Sequence, residues 1–262
     1  PLYGHQEGAK SGYNPHKPGR PSHTYHSYLM ANTRLVLEVD VQAGNQTSSG
    51  YSMPGLVALI QRLLPAERPA FVRGDCDWGN DAIMKELEEL QQPYLFKVKR
   101  TKGVKQLIAK VHGPGQWQRF NEGWEVKEST LQLHGWKQSR VVVTRRRLKG
   151  DPVFALEKSS GGQQEIAFVE GPEDMRLYEY SVLITSLTTD VIAVMQHYRD
   201  RADCENVFDE IKNQWGWGGF VTKQLQTSQI MARMVALIYN WWNLFARLGI
   251  PEKHHEAITS RP

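Results

Sequence analysis

The chain has 262 residues, 40% hydrophobic and 23% charged, which supports a buried core and excludes global disorder. That length suits one domain of mixed class or a core carrying an insertion, and a net charge of +4 with a pI near 9.0 admits a nucleic-acid partner without demanding one. Two cysteines, Cys76 and Cys204, exclude a disulfide framework and fit a reducing, cytoplasmic compartment.

The first twenty residues are Gly/Pro-rich and polar, unlike a secretory leader. "TYHSYLMAN" (24–32) and "RLVLEVDVQ" (34–42) predict two strands joined by a tight turn near Asn32. Residues 52–64 predict an amphipathic helix with Pro54 and Gly55 in its first turn. "PAFVRGD" (69–75) predicts a short apolar strand ending in an acid, 80–90 a helix with Asn80 as N-cap, and "YLFKVK" (94–99) another strand. Two strands followed by alternating helix and strand indicate a mixed α/β sheet. From 99 to 180, Gly- and Trp-containing turns alternate with runs such as "VVVTRRR" (141–147), which predicts a mostly β region. "YSVLITSL" (180–187) returns to strand. One long helix is expected over 190–215, stopped by Gly216 as a left-handed cap, and a last helix over 227–248 with Thr227 or Ser228 as N-cap. The most apolar window, "MVALIYNWWNLF" (234–245), is too short and too interrupted by asparagine for a membrane span, so no membrane partner is expected. Both ends read as loop, and the chain is expected to be a piece truncated at each.

Helical spacing makes "YRDRADCENVFDEIK" (198–212) unusual. At 100° per residue, Tyr198, Arg201, Glu205 and Lys212 share one narrow stripe. Cys204, Phe208, Ile211 and Trp215 form an apolar stripe beside it, and Arg199, Asp203, Asn206 and Glu210 a polar side. A carboxylate at such a border is held rigidly and half out of water, which suits a metal ligand. The same pattern also reads as an ordinary surface helix with i,i+4 pairs such as Arg201–Glu205. A second acid, Asp75, ends an apolar strand, where α/β sheets place their sites. Gly74 beside it permits close approach to the backbone, and Asp77 is an alternative the spacing does not separate from Asp75.

The spacing Y-x2-R-x3-E-x6-K is met by Tyr198, Arg201, Glu205 and Lys212. With "GHQEGAKSGYNPHKPGRPSHTYH", "VQAGNQTSSGY", "FVRGDCDWGN" and "VLITSL" in order along the chain, the sequence resembles bacterial insertion-sequence transposases of the DDE class bearing that signature, from residue 1 to about 260. The resemblance implies a ribonuclease H-like mixed sheet flanked by helices, with a mostly β insertion before the last catalytic helix. The implied organisation is 1–98 for the first part of the core with its first strand incomplete, 99–180 for the insertion, 181–250 for the strand and helices completing the core, and 251–262 for a tail. Three carboxylates would bind two divalent cations, Mg²⁺ or Mn²⁺. Asp75 matches the second acid and Glu205 the third. The family's first acid lies just before the "GHQEGA" block; no Asp precedes Glu7, so that acid is expected to be absent and this fragment inactive. Asp40 does not match the family position and is expected to be structural. Tyr198, Arg201 and Lys212 would grip transposon-end phosphates, Arg as a planar fork and Lys as a point charge. The implied partners are double-stranded DNA at transposon ends, target DNA, and a second copy in a synaptic homodimer. The implied reaction is end cleavage and strand transfer. A ribonuclease H-fold nuclease and a non-catalytic DNA-binding remnant are the alternatives.

Weaker signals remain. "KVKRTK" (97–102) and "TRRRLK" (144–149) can track a DNA backbone or simply charge a sheet edge. Trp124, Trp136, Trp215 and Trp217 can stack on a displaced base or pack in the core. Met231, Met234, Val235, Ile238, Trp242 and Phe245 share a helix face expected to cover the Glu205 helix. The adjacent His254 and His255 diverge on a helix and are expected to be tail.

Overall fold

The computed structural model describes residues 2–3, 6–12, 17–113, 115–121, 123–148, 173–220 and 222–249. It divides into two units, residues 1–56 with 200–262, and residues 57–199.

In the first unit, β1 (Leu2–Tyr3), β2 (Ser22–Met30) and β3 (Leu35–Ala43) form an antiparallel sheet in that order. β2 and β3 are the hairpin the alternating sequence predicts. Their register slips between Tyr28 and Leu29, leaving Leu37 as an extra, exposed residue in β3. The slip resets the alternation, so Val36, Val39 and Val41 all reach one core although 36 and 39 are an odd number apart. That core is closed by α5 (Ala202–Gln214), through Val207 and Ile211, and by α6 (Leu225–Gly249), through Ala232, Ala236 and Tyr239. α1 (Ser48–Arg62) spans the boundary between the units; it starts four residues before its predicted position and so carries Pro54 in its interior. Gly55 is required there, since a Cβ would lie 2.5 Å from the Tyr28 hydroxyl, which donates to the Ser52 carbonyl.

The second unit holds β4 (Val72–Gly79), α2 (Asp81–Glu89), β5 (Tyr94–Val98), α3 (Lys102–Val111), β6 (Gln118–Arg119), β7 (Trp124–Leu131), β8 (Ser139–Arg147), β9 (Tyr178–Thr185) and α4 (Val191–Arg199). The sheet order is β4-β5-β9-β8-β7-β6, with β4 and β5 parallel and every other pair antiparallel. α4 covers one face, packing Val191, Val194 and Met195 on Leu95, Val126, Val142 and Leu183. The opposite face carries Tyr94, bonded to Glu88 of α2, and Tyr180, bonded to His112 at the end of α3. Helices on both faces explain why Val141, Val142 and Val143 are all buried rather than alternating. Asn80 caps α2 as predicted, its side chain accepting from Ile83 N at 3.2 Å.

This is the mixed α/β sheet flanked by helices that the sequence predicts, with four local differences besides the early start of α1. The region read as mostly β contains α3, whose signals were present: Thr101 accepts from Val104 N as N-cap, and Val104, Leu107, Ile108 and Val111 repeat at helical spacing. The basic run "KVKRTK" masked that period. The helix expected over 190–215 is two helices, α4 and α5, with Asp200 and Arg201 in the turn between them. The last helix begins at Leu225, which puts Ser228 inside it, buried and 2.8 Å from Thr222 Oγ1. Finally, most of the apolar face expected to cover the Glu205 helix points outward: Met231, Met234, Ile238, Trp242 and Phe245 are exposed, while Val235 packs on the core with Val207 and Ile211, and Tyr239 with mainly small or polar residues is buried. The tail 251–262, with His254 and His255, lies outside the described residues. Among the described residues no helix is long and apolar enough to cross a membrane.

Candidate active site and nucleic-acid interface

β4 and β5 pair in register through Gly74 and Phe96, and resume only at Gly79 and Val98. Residues 75–78 therefore bulge out of the ladder. Trp78 folds back over Gly74, where a Cβ would come within 2.7 Å of Trp78 Cγ. The close approach that Gly74 predicts is thus made by Trp78, whose ring also stacks on Phe96 with centroids 6.4 Å apart. The bulge throws Asp75 outward, exposed to solvent, with Oδ1 accepting from Asp77 N at 2.9 Å. Asp77 is committed elsewhere, to Lys99 Nζ at 2.8 Å, and that bond holds the Lys99 pKa above its ordinary value. The two acids that the spacing leaves equivalent are therefore unlike: one is ion-paired, the other open.

The break at Asp200–Arg201 separates the signature residues. Tyr198 lies on α4 in the second unit, half-buried against the cluster around Val194 and Met195. Arg201, Glu205 and Lys212 belong to the first unit and Asp75 to the second. Arg201 occupies the N-cap position of α5, and its guanidinium reaches Glu205 Oε1 at 2.6 Å. The Glu205 side chain is 61% exposed. The geometry of this carboxylate is that of the i,i+4 surface pair, not of a half-desolvated group at the border of the core.

The helical phase read from Tyr198 does not survive the break. α5 buries Val207, Glu210 and Ile211, and Glu210, placed by spacing on the polar side, is 5% exposed. It faces Arg34 Nη1 at 3.8 Å, while Asp203 takes a two-pronged bond from the same guanidinium, with Nε at 3.0 Å from Oδ2. Asp203 raises the Arg34 pKa by that bond. Arg34 sits in the β2–β3 turn with φ 55, an uncommon value for a side-chain-bearing residue, fixed here by its two acids. Sequence reasoning missed this network because Arg34 and Glu210 lie far apart in the chain and share no local pattern.

Lys212 is exposed and borders an open cavity of about 180 Å³ with Tyr25, Ser27, Phe208 and Trp217. Gly216, at φ 89, ends α5 as predicted, and Gly218 N returns to the Lys212 carbonyl at 3.0 Å. Trp217 is core: it is buried, stacks on Tyr25 at 4.9 Å and donates from Nε1 to the Ala232 carbonyl at 3.1 Å. Burial raises the Tyr25 pKa. Trp215 meets Tyr239 edge-on at 5.8 Å. Trp124 instead carries the Arg146 guanidinium at 4.8 Å. In the second basic run, Arg145 is clamped between Trp117 and Tyr178 and paired with Glu125 at 2.7 Å, and Arg146 pairs with Glu179 at 3.0 Å. Asp40 accepts from the Tyr51 hydroxyl at 2.6 Å, which pushes the Tyr51 pKa up to about 12. Cys76 and Cys204 form no disulfide among the described residues, and each is half-buried.

Among known families, the model described as "Transposase DDE domain" matches residues 1–241. The chain belongs to that family. A search of curated proteins found no match. The transposase domain has the ribonuclease H-like α/β fold, with its six-stranded mixed sheet flanked by helices. Its family works in DNA transposition and recombination of insertion sequences, generally with divalent metal ions. Among the described residues no group of three His, Cys, Asp or Glu side chains gathers in a metal-holding arrangement. The donor chemistry fits such an ion nonetheless: Asp75 and Glu205 offer hard, solvent-facing carboxylate oxygens of the kind Mg²⁺ and Mn²⁺ take.

Proposed function

We propose that the transposase to which this domain belongs carries out metal-dependent cleavage of DNA at transposon ends and strand transfer to target DNA, with Asp75 and Glu205 among the acids that would bind divalent ions. One observation carries the reading. Asp75 is an exposed carboxylate, without an ion pair among the described residues, set where a parallel strand pair opens, the position at which α/β sheets place their chemistry. A bound Mg²⁺ or Mn²⁺ pair supplies charge for the phosphoryl oxygens and acidifies an attacking water or hydroxyl. The chain's own part is to hold and orient. Arg201 is ion-paired with Glu205, and its planar guanidinium is of the kind that would hold a DNA phosphate. Lys212 offers an exposed ammonium on the same helix, and Tyr198 a hydroxyl from α4. Residues 99–180 are proposed as an insertion between core segments 1–98 and 181–250, and two copies are proposed to act together on paired ends.

A second reading, a transposase domain that binds DNA without cutting, is favoured by the Arg201–Glu205 pair itself, which occupies one catalytic acid. The two readings part in one experiment. In the intact transposase, Asp75→Asn and Glu205→Gln are each expected to lower Mg²⁺- or Mn²⁺-dependent nicking of a transposon-end duplex by about 100-fold or more, equal to about 2.7 kcal/mol of barrier. Gel-shift affinity for the same duplex should stay within about threefold. Nicking that persists in both variants removes the metal role from these acids.

A further inference from the structure

α6 has a buried side and, opposite it, an exposed apolar side. Its inner side, with Ser228, Ala232, Ala236, Tyr239, Asn243 and Ala246, is buried. Its outer side carries Ile230, Met234, Leu237, Trp241, Leu244 and Leu248, all exposed, from 42% for Leu244 to 82% for Leu248. These six are spaced by four, three, four, three and four residues. That is the alternation of a heptad seam, which keeps one stripe facing a second helix over several turns. Met231, Ile238 and Phe245, also exposed, widen the stripe on one flank.

We propose that this seam is a dimer interface, and that its occupant is α6 of a second copy, lying antiparallel. Three observations select that partner. The first is area: exposed aliphatic and aromatic side chains along α6, at up to ~150–250 Å² for each aromatic, leave roughly 1,000 Å² of apolar surface open. This exceeds the ~300–600 Å² patch of an ordinary monomer and reaches the ~800 Å² per partner of a stable interface. The second is charge. From Met234 to Ala246 there is no charged residue, and the flanking cations are drawn back to their own hairpin: Arg233 to Glu38 at 2.9 Å and Arg247 to the Asn32 carbonyl at 3.2 Å. Nothing on the seam repels an identical helix. The third is self-complementarity. A two-fold axis crossing the middle of α6 sets Leu237 against Trp241, Met234 against Leu244 and Ile230 against Leu248, a large side chain opposite a smaller one at the centre, with the helix dipoles opposed.

The inference gives a surface to the second copy proposed above, but it needs neither DNA nor metal, and its test contains neither. In light scattering coupled to gel filtration at about 10 µM, the metal- and DNA-free chain should run at twice its chain mass. Leu237→Glu and Trp241→Glu should each return the monomer mass with the circular dichroism spectrum and melting cooperativity retained, since both positions are exposed. Nicking assays on the same samples report separately on the acids. A monomeric parent chain overturns the proposal. So does a dimer that survives both substitutions, which assigns the contact to another surface, and so does a monomer that sediments with phospholipid vesicles, which assigns the seam to a lipid surface.

Discussion

In the six-stranded sheet, the large apolar residues point inward: Val141, Val142, Val143 and Leu183 vanish between α4 on one face and α2 and α3 on the other. The three-stranded sheet also turns valines inward, at Val36, Val39 and Val41, but the helix that closes it is built differently. α6 buries Tyr239 together with serine, alanine and asparagine, and leaves methionine, leucine and tryptophan outside. The difference lies in what the helix contacts. α4 lies over a sheet face, where side chains meet side chains and bulk fills space. α6 lies along the backbone of β3. Asn240 accepts from Val36 N at 2.9 Å and donates to Val36 O at 2.8 Å, Gln229 donates to Val39 O at 2.7 Å and accepts from Val41 N, and Arg233 donates to Val39 O at 3.3 Å. The amides of Asn240 and Gln229 reach a strand's backbone only if the helix comes close, and the buried Ala232, Ala236 and Ser228 leave room for that approach. A helix can therefore be docked by its polar groups, with its bulk left for another partner.

Three substitutions bear on that contrast. The largest effect is expected at Arg34, whose guanidinium anchors the hairpin to α5. Arg34→Ala leaves Glu210 buried without this cation, and chemical denaturation should show a loss of about 3–5 kcal/mol; a loss below about 1 kcal/mol would show that the pair merely decorates the turn. Next comes Ala232→Leu. In a side-chain-filled interface an added isobutyl group is often absorbed; here it must push α6 from β3, at a cost of about 1–3 kcal/mol in the same measurement. A neutral result would show slack between helix and strand. The smallest effect is on pH dependence. His26 in β2 is buried, with Nδ1 3.0 Å from Ser52 Oγ, and burial lowers its pKa, only partly opposed by the Asp40 carboxylate. The folded state thus prefers the neutral ring, and the unfolded chain binds the extra proton. Stability should be full above the unfolded histidine value of about 6.5 and decline as pH falls below it. His26→Gln should flatten that part of the melting profile; an unchanged slope would assign the acid sensitivity to other groups.

Much of the fold was legible because local rules govern it. The β2–β3 hairpin follows from alternation, α2 from its asparagine cap and the end of α5 from Gly216. What stayed hidden depends on contacts distant in sequence. Nothing near Glu210 announces that Arg34 will bury it, and nothing in "MVALIYNWWNLF" reveals that Asn240 is the inward-facing group. The helix break at Asp200–Arg201 has no glycine or proline to mark it, so the helical phase set by Tyr198 does not carry into α5. At the site, the spacing identified the acids as candidates, yet only the bulge after Gly74 distinguishes Asp75 from Asp77.

The amide side chains that line β3 have one more consequence. A strand at the rim of a sheet invites any extended peptide, including a copy of itself, to add on and start a fibre. Along β3 that invitation is withdrawn at Val36, Val39 and Val41, whose outward backbone groups are already engaged by Asn240, Gln229 and Arg233. At those positions the rim of the sheet is closed to an added strand.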